Sequence, residues 1–234
     1  MCARYTIYHS LDQILARFEA LQVAAEFHPR YNVAPTNRVP VVIEGQNGER
    51  RVEMMRWGLV PFWARDESIG SRLINARAET IAEKPAFRAA LKSRRCIVPA
   101  DGFYEWTGAA KERRPLHIRM QSGEIFGLAG LWEAWNQPGG DDHGPLQTFT
   151  IVTVPANELM AALHDRMPAI LRAEAEAAWL DPSLKDVHAA ESLLRPYPAE
   201  EMTAYPVDPM VNRPGVEGPE CIAPLTGNLP GLDL

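Results

Sequence analysis

The fold is decided by "RRCIVPADGFYEWT" (94–107), with "PLHIRM" (115–120), "IFGLAGLW" (125–132) and "TFTIVTV" (148–154) behind it. These are short runs rich in β-branched and aromatic residues, separated by Gly, Pro and charged turns, the pattern of an antiparallel sheet or barrel. Within "GFYEWT", Phe103 and Glu105 share one strand face, and Tyr104 and Trp106 share the other. Upstream, "VPVVIEGQNGERRVEMMRW" (39–57) reads as a β-hairpin around Asn47-Gly48. "SLDQILARFEAL" (10–21) is an amphipathic helix with Leu11, Ile14, Leu15 and Phe18 on one stripe. Its Ser10 and Gln13 have capping-box spacing. "KPAFRAALKS" (84–93) predicts a short helix with Pro85 in its first turn. "AEAEAAWL" (173–180) and "LKDVHAAESLLR" (184–195) predict two more. The Pro-rich last forty residues read as irregular chain wrapped on the body, and "NQPGGDDHGP" (136–145) as a polar hairpin tip. The expected architecture is α+β: one domain over 1–234, with a mostly antiparallel, β-barrel-like core and peripheral helices.

Bulk properties narrow the function. The chain has 234 residues, 46% hydrophobic and 23% charged, enough for a substantial core. No apolar run reaches membrane-spanning length, and the first twenty residues lack a secretory pattern. Cys2, Cys96 and Cys221 make neither a zinc spacing nor an even disulfide set. No metal or cofactor is expected, and free thiols fit a reducing cytoplasm. The net charge of −6 is unevenly spread: residues 50–119 carry 15 Lys/Arg against 8 Asp/Glu, and residues 120–234 carry 5 against 17. A basic middle suits a phosphate-tracking groove. Charges that decorate exposed faces would give the same counts.

Five places carry possible chemistry. Trimming of Met1 leaves Cys2 with an α-amine and a thiol two carbons apart. An α-amine has a pKa of about 7.7–8.0, so roughly a quarter is unprotonated at pH 7.4, and it attacks an aldehyde readily. The thiol can then close a five-membered thiazolidine. In "LINARAET" (73–80), Asn75 offers a donor and an acceptor, and Arg77 a fork suited to phosphate. Glu105, on the face of Phe103, is placed for desolvated acid–base work. His164 enters the Pro-bounded run "LHDRMPAIL" (163–171). "RWGLVPFW" (56–63) interleaves Trp57, Phe62 and Trp63 with arginine, a pattern that suits stacking on single strands. Each has an ordinary alternative: an incidental small residue at position 2, a helix cap, an edge glutamate, a structural histidine, core tryptophans.

Together "MCARY", "RYNVAPT" (30–36), "RWGLVPFW", "LINARAET", "CIVPADGFYEW" (96–106) and "LHDRMP" resemble the SRAP family of SOS-response-associated peptidases, or abasic-site-processing proteins. The motifs occur in the family's order over nearly the whole chain. The resemblance implies a barrel-like fold and recognition of abasic sites in single-stranded DNA, with a covalent link from Cys2. It implies that Asn75 holds the amine or the opened sugar, that Glu105 shuttles protons, and that His164 assists transfer to the sugar oxygen and reversal of the link. Arg4 and Arg77 would contact phosphates, and Trp57, Trp63 and Trp106 would stack or line the groove. The expected state is a monomer, cytoplasmic and at the nucleoid when bound to DNA, with weak lyase and self-processing activity in reach. Ala3 departs from the glycine usual in the family and restricts φ there. An N-terminal-nucleophile cysteine hydrolase and a non-covalent single-strand-binding module are the rival readings.

Overall fold

The computed structural model describes residues 2–22, 26–45, 47–108, 113–137 and 144–225. Five strands close a ring. Arg38–Glu44 pairs antiparallel with Arg50–Trp57 on one side and, through Val42 and Ile97, with Arg95–Ala100 on the other. Arg95–Ala100 pairs with Phe126–Trp135, which pairs with Leu146–Pro155, both antiparallel. Leu146–Pro155 then meets Arg50–Trp57 in parallel, through Thr148–Arg56 and Phe149–Trp57. The parallel seam is a matter of parity. Five strands that alternate in direction leave the first and last pointing the same way, so an antiparallel ring of odd number closes only by one parallel contact. Closure removes the exposed edges an open sheet would present.

A second, wholly antiparallel sheet has the order Met202–Pro206, Arg114–Met120, Gly102–Thr107, Tyr5–Ile7, Arg30–Val33. The stretch 94–107 belongs to both sheets and crosses between them at Asp101. The buried Asp101 carboxylate accepts the Tyr8 and His9 backbone N–H groups and faces the His9 ring. This crossing fixes the amino-terminal strand Tyr5–Ile7 between Gly102–Thr107 and Arg30–Val33 in the second sheet, with Cys2 just before it.

All six residues of Arg95–Ala100 are buried, as a strand covered on both faces requires. Gly130 lies beside it; a Cβ there would come within 2.8 Å of the Cys96 Sγ. The helix Leu11–Phe18 has the full Ser10–Gln13 capping box and buries Ile14 and Phe18. The hairpin turns at Gly48, φ 77°. The core runs from Cys2 to Met202 in one cluster, and a smaller cluster joins Tyr104 to Val207, Val211 and Cys221.

Several expectations need correction. The helix expected over 184–195 spans Val187–Ser192, capped by Asp186. The helix expected over 84–93 spans Arg88–Ser93. Pro85 sits earlier, in a turn whose Lys84 carbonyl accepts from the Phe87 and Arg88 N–H groups. The carboxy-terminal segment is not simply irregular: Met202–Pro206 adds a strand at the sheet edge, where proline is tolerated. The flanks of the 136–145 loop pair as a hairpin, Trp135 opposite Leu146, while 138–143 lie outside the described residues.

Candidate active site

Antiparallel pairing of Tyr5 with Phe103 and Thr6 with Gly102 sets the amino terminus against the strand Gly102–Thr107. Extending that register two residues brings Ala3 opposite Glu105. Ala3, Glu105, Trp106, Arg113 and His164 line a pocket of about 490 Å³. Glu105 is 6% exposed, on the face of the buried Phe103, as the alternation requires.

Cys2 is 1% exposed. Burial first, and the Glu105 carboxylate second, push its thiol up to about 12. Its Sγ lies 3.7 Å from the Arg4 carbonyl. Asn75 holds the backbone of Cys2: its Nδ2 donates to the Cys2 carbonyl at 2.8 Å. The other end of that amide, Oδ1, is buried and has no hydrogen-bond partner. An acceptor left open beside a chain terminus is suited to an ammonium group. Asn75 comes from the strand Asn75–Arg77, parallel to Leu146–Pro155 with Ile151 opposite Asn75. Period two puts Asn75 and the exposed Arg77 on one face and the buried Ala76 on the other. "LINARAET" carried no strand expectation; it forms the strand Asn75–Arg77 followed by the short turn Ala78–Thr80, and Arg77 makes no side-chain cap there.

His164 is partly exposed at the pocket wall. The Arg166 backbone N–H donates to its Nδ1 at 3.0 Å, and the Asp165 carboxylate lies 2.7 Å from the same nitrogen. A neutral ring accepts from Arg166; a protonated ring donates to Asp165. Either way Nδ1 is occupied within its own turn, and Nε2 is the nitrogen left for the pocket.

The other expected residues divide. Trp63 is 48% exposed beside Phe62 at 57%. Their loop is nevertheless pinned. Gly58 N–H donates to the Phe149 carbonyl at 2.8 Å, Val60 N–H to Thr148 Oγ1 at 2.9 Å, and the Trp135 indole to the Ala64 carbonyl at 2.7 Å. Gly58 has φ 114°, and a Cβ there would sit 2.8 Å from the Gly70 carbonyl oxygen. Trp106 lines the pocket and donates to Asn212 Oδ1 at 2.6 Å. Trp57 is wholly enclosed, edge-on to Tyr5 and stacked on Phe149, with its indole donating to the Ile74 carbonyl at 2.9 Å. Arg4 turns inward to Asn32 Oδ1 (2.6 Å) and the Val211 carbonyl (2.8 Å). Trp57 is therefore enclosed in the scaffold, whereas Arg4 is partly buried with its Nη1 committed to Asn32 and Val211. The basic middle segment is likewise partly consumed by pairs such as Arg56–Glu67 and Arg94–Glu133. Arg113 was not anticipated; it stands beside a segment whose polar, charged sequence gives no strand or helix signal.

A family model described as SOS response associated peptidase (SRAP) matches residues 1–214. The chain belongs to the SRAP family. Abasic site processing protein YoqW of Bacillus subtilis is 47% identical over 226 residues, covering 95% of this chain and 99% of that protein. Abasic site processing protein HMCES of Xenopus tropicalis is 32% identical over 227 residues, covering 85% of this chain and 67% of that one. A crystal structure of a protein from Bacteroides thetaiotaomicron superposes with a TM-score of 0.86 at 30% identity, covering 96% of this chain and all of that one. This SRAP fold is the α+β barrel-like architecture expected from the strand pattern. Among the described residues no helix is long and apolar enough to cross a membrane, and no group of three or more His, Cys, Asp and Glu side chains could hold a metal ion.

The raised thiol gives a direct test. Raising a thiol from 9.0 to about 12 lowers its thiolate fraction at pH 7.4 on the order of 1,000-fold. Alkylation of Cys2 by iodoacetamide, followed by peptide mass spectrometry, is expected to be at least that much slower than for free cysteine. The rate should climb about tenfold per pH unit between pH 9 and pH 11, because only the thiolate reacts. Labelling at the rate of free cysteine at pH 7.4 would contradict the burial.

Proposed function

We propose that this protein processes abasic sites in single-stranded DNA by forming a covalent link through Cys2 once Met1 has been removed. The observation that carries the reading is the convergence on one end of the chain. The Asn75 amide grips the Cys2 carbonyl with its acceptor end open, while Glu105 and His164 face a pocket large enough for a sugar. The names of the relatives point the same way.

The chemistry follows from the order of reactivity. The thiol is poorly ionised, so the α-amine attacks first, held towards Asn75 Oδ1. It adds to C1′ of the ring-opened sugar and the carbinolamine loses water, giving an imine. The thiol then adds to the imine carbon, and its proton passes to the nitrogen, with Glu105 as the carrier. Aldehyde and aminothiol become thiazolidine and one water. His164 Nε2 serves the sugar oxygen during ring opening and, in reverse, release. Loss of a sugar proton from the imine before closure would nick the strand, which makes weak lyase activity a side path. Arg77 takes phosphate, and Trp63, Phe62 and Trp106 offer flat surfaces to neighbouring bases. The hydrolase alternative needs a thiolate nucleophile at neutral pH, which burial opposes.

The test is a denaturing gel of protein mixed with an abasic or an intact single strand. A stoichiometric shifted band with the abasic strand alone is expected. No band, or equal retention of both strands without a covalent product, would overturn the proposal. Asn75→Ala is expected to slow adduct formation on the order of 100-fold, because the amine loses its anchor. Quenched time courses on the same gel measure this, and an unchanged rate would remove Asn75 from the mechanism.

A further inference from the structure

Asn75 and His164 lie on different elements, one on either side of the strand Leu146–Pro155. Asn75–Arg77 runs parallel to that strand, with Arg77 opposite Thr153. Arg166–Pro168 runs antiparallel along it, with Pro168 opposite the same Thr153. Neither segment exceeds three residues, so backbone pairing alone is a weak hold on the side chains it must keep in register.

One side chain ties the three together. Arg166, 8% exposed, donates through both terminal nitrogens to Glu79, Nη1 to Oε1 at 2.5 Å and Nη2 to Oε2 at 2.9 Å. The same Nη2 donates to the Thr153 carbonyl at 2.6 Å and lies 3.3 Å from the Thr153 hydroxyl. Glu79 is the middle residue of the turn Ala78–Thr80 that leaves the Asn75–Arg77 strand. The backbone N–H of Arg166 fixes the His164 imidazole at Nδ1. A bidentate, largely buried arginine fork is directional in a way a lysine point charge is not. The fork spans the central strand from the His164 turn to the Asn75 segment.

We infer that Glu79 and Arg166 are positioning residues of the Cys2 site: their ion pair holds Asn75, at the Cys2 carbonyl, and His164, at the pocket, in register across the strand Leu146–Pro155. The inference rests on the covalent reading above. It gives a role to two polar residues of "LINARAET" and "LHDRMP" that touch neither Cys2 nor the pocket wall.

The test is a double-mutant cycle on the full chain. Glu79→Gln keeps shape and removes the charge that anchors the fork. It is expected to slow adduct formation about tenfold at saturating abasic single strand, with affinity for an intact strand of the same length within twofold of wild type. In an Asn75→Ala background, where there is no amide left to position, Glu79→Gln is expected to add less than twofold. Arg166→Lys should resemble Glu79→Gln, since it keeps charge but not the fork. Circular dichroism melting of every variant reports whether the fold survives. Additive losses in the cycle, a matching fall in intact-strand affinity, or full activity of Arg166→Lys would each overturn the positioning role. Failure of the wild type to form any adduct would instead overturn the underlying covalent reading.

Discussion

Cys2→Ala is expected to yield no heat-stable adduct with an abasic single strand, a loss of at least about 100-fold, while still forming an imine that borohydride traps. The reason lies in what the substitution leaves behind. The α-amine remains, and so do the Asn75 anchor, Glu105 and His164. Imine formation therefore continues, but imines hydrolyse in water. In the wild type the thiol sits on the same residue, and well-oriented intramolecular closures reach effective molarities of about 10⁵–10⁸ M. Ring closure is therefore what makes the product persist. A thiol pushed up to about 12 does not obstruct it, because the sulfur adds to an adjacent electrophile while surrendering its proton. Prolonged imine lifetime in Cys2→Ala also favours β-elimination, so strand nicking should rise as the stable band disappears. The wild-type adduct rate should increase from pH 6 to pH 8, because only the deprotonated α-amine attacks the aldehyde. Gels with and without borohydride read both products. A stable band of equal strength from Cys2→Ala would end the thiazolidine mechanism.

Trp57→Ala and Trp63→Ala should separate completely, although both tryptophans lie in "RWGLVPFW". Trp57 is fully enclosed between Tyr5 and Phe149. Truncating a buried tryptophan costs about 3–5 kcal/mol, which for a chain of this size lowers Tm on the order of 10 °C. It also removes one of the two hydrogen bonds on the Ile74 carbonyl, one residue from Asn75, leaving only that from the Ile151 N–H, so adduct formation should fall with stability. Trp63 is 48% exposed on a loop held by Phe149, Thr148 and Trp135. Trp63→Ala should leave stability within about 0.5 kcal/mol. Losing one base–aromatic stack should weaken single-strand binding by about 1–3 kcal/mol, roughly 5- to 150-fold. Thermal melts and fluorescence anisotropy with intact single strands check the pair. A wild-type Tm for Trp57→Ala, or unchanged DNA affinity for Trp63→Ala, would refute the assignment.

What the sequence determined by itself was local or motif-borne. Alternation in "GFYEWT" put Glu105 on the face of Phe103, capping chemistry placed the helix at Leu11, and Asn47-Gly48 marked a hairpin. These depend on neighbours a few residues away. The ordered motifs from "MCARY" to "LHDRMP" carried the family. The tertiary structure decided everything that depends on long-range pairing. The ring closes by a parallel seam between segments nearly a hundred residues apart, and no local pattern records which strands will meet. The same closure buries Trp57 and leaves Trp63 outside, though both read as aromatic beside arginine. It turns Arg4 towards Asn32, and it draws Arg166 across a strand to Glu79. Burial is a property of the assembled surface, so which polar and aromatic side chains remain available for a ligand is settled only when the sheets have packed.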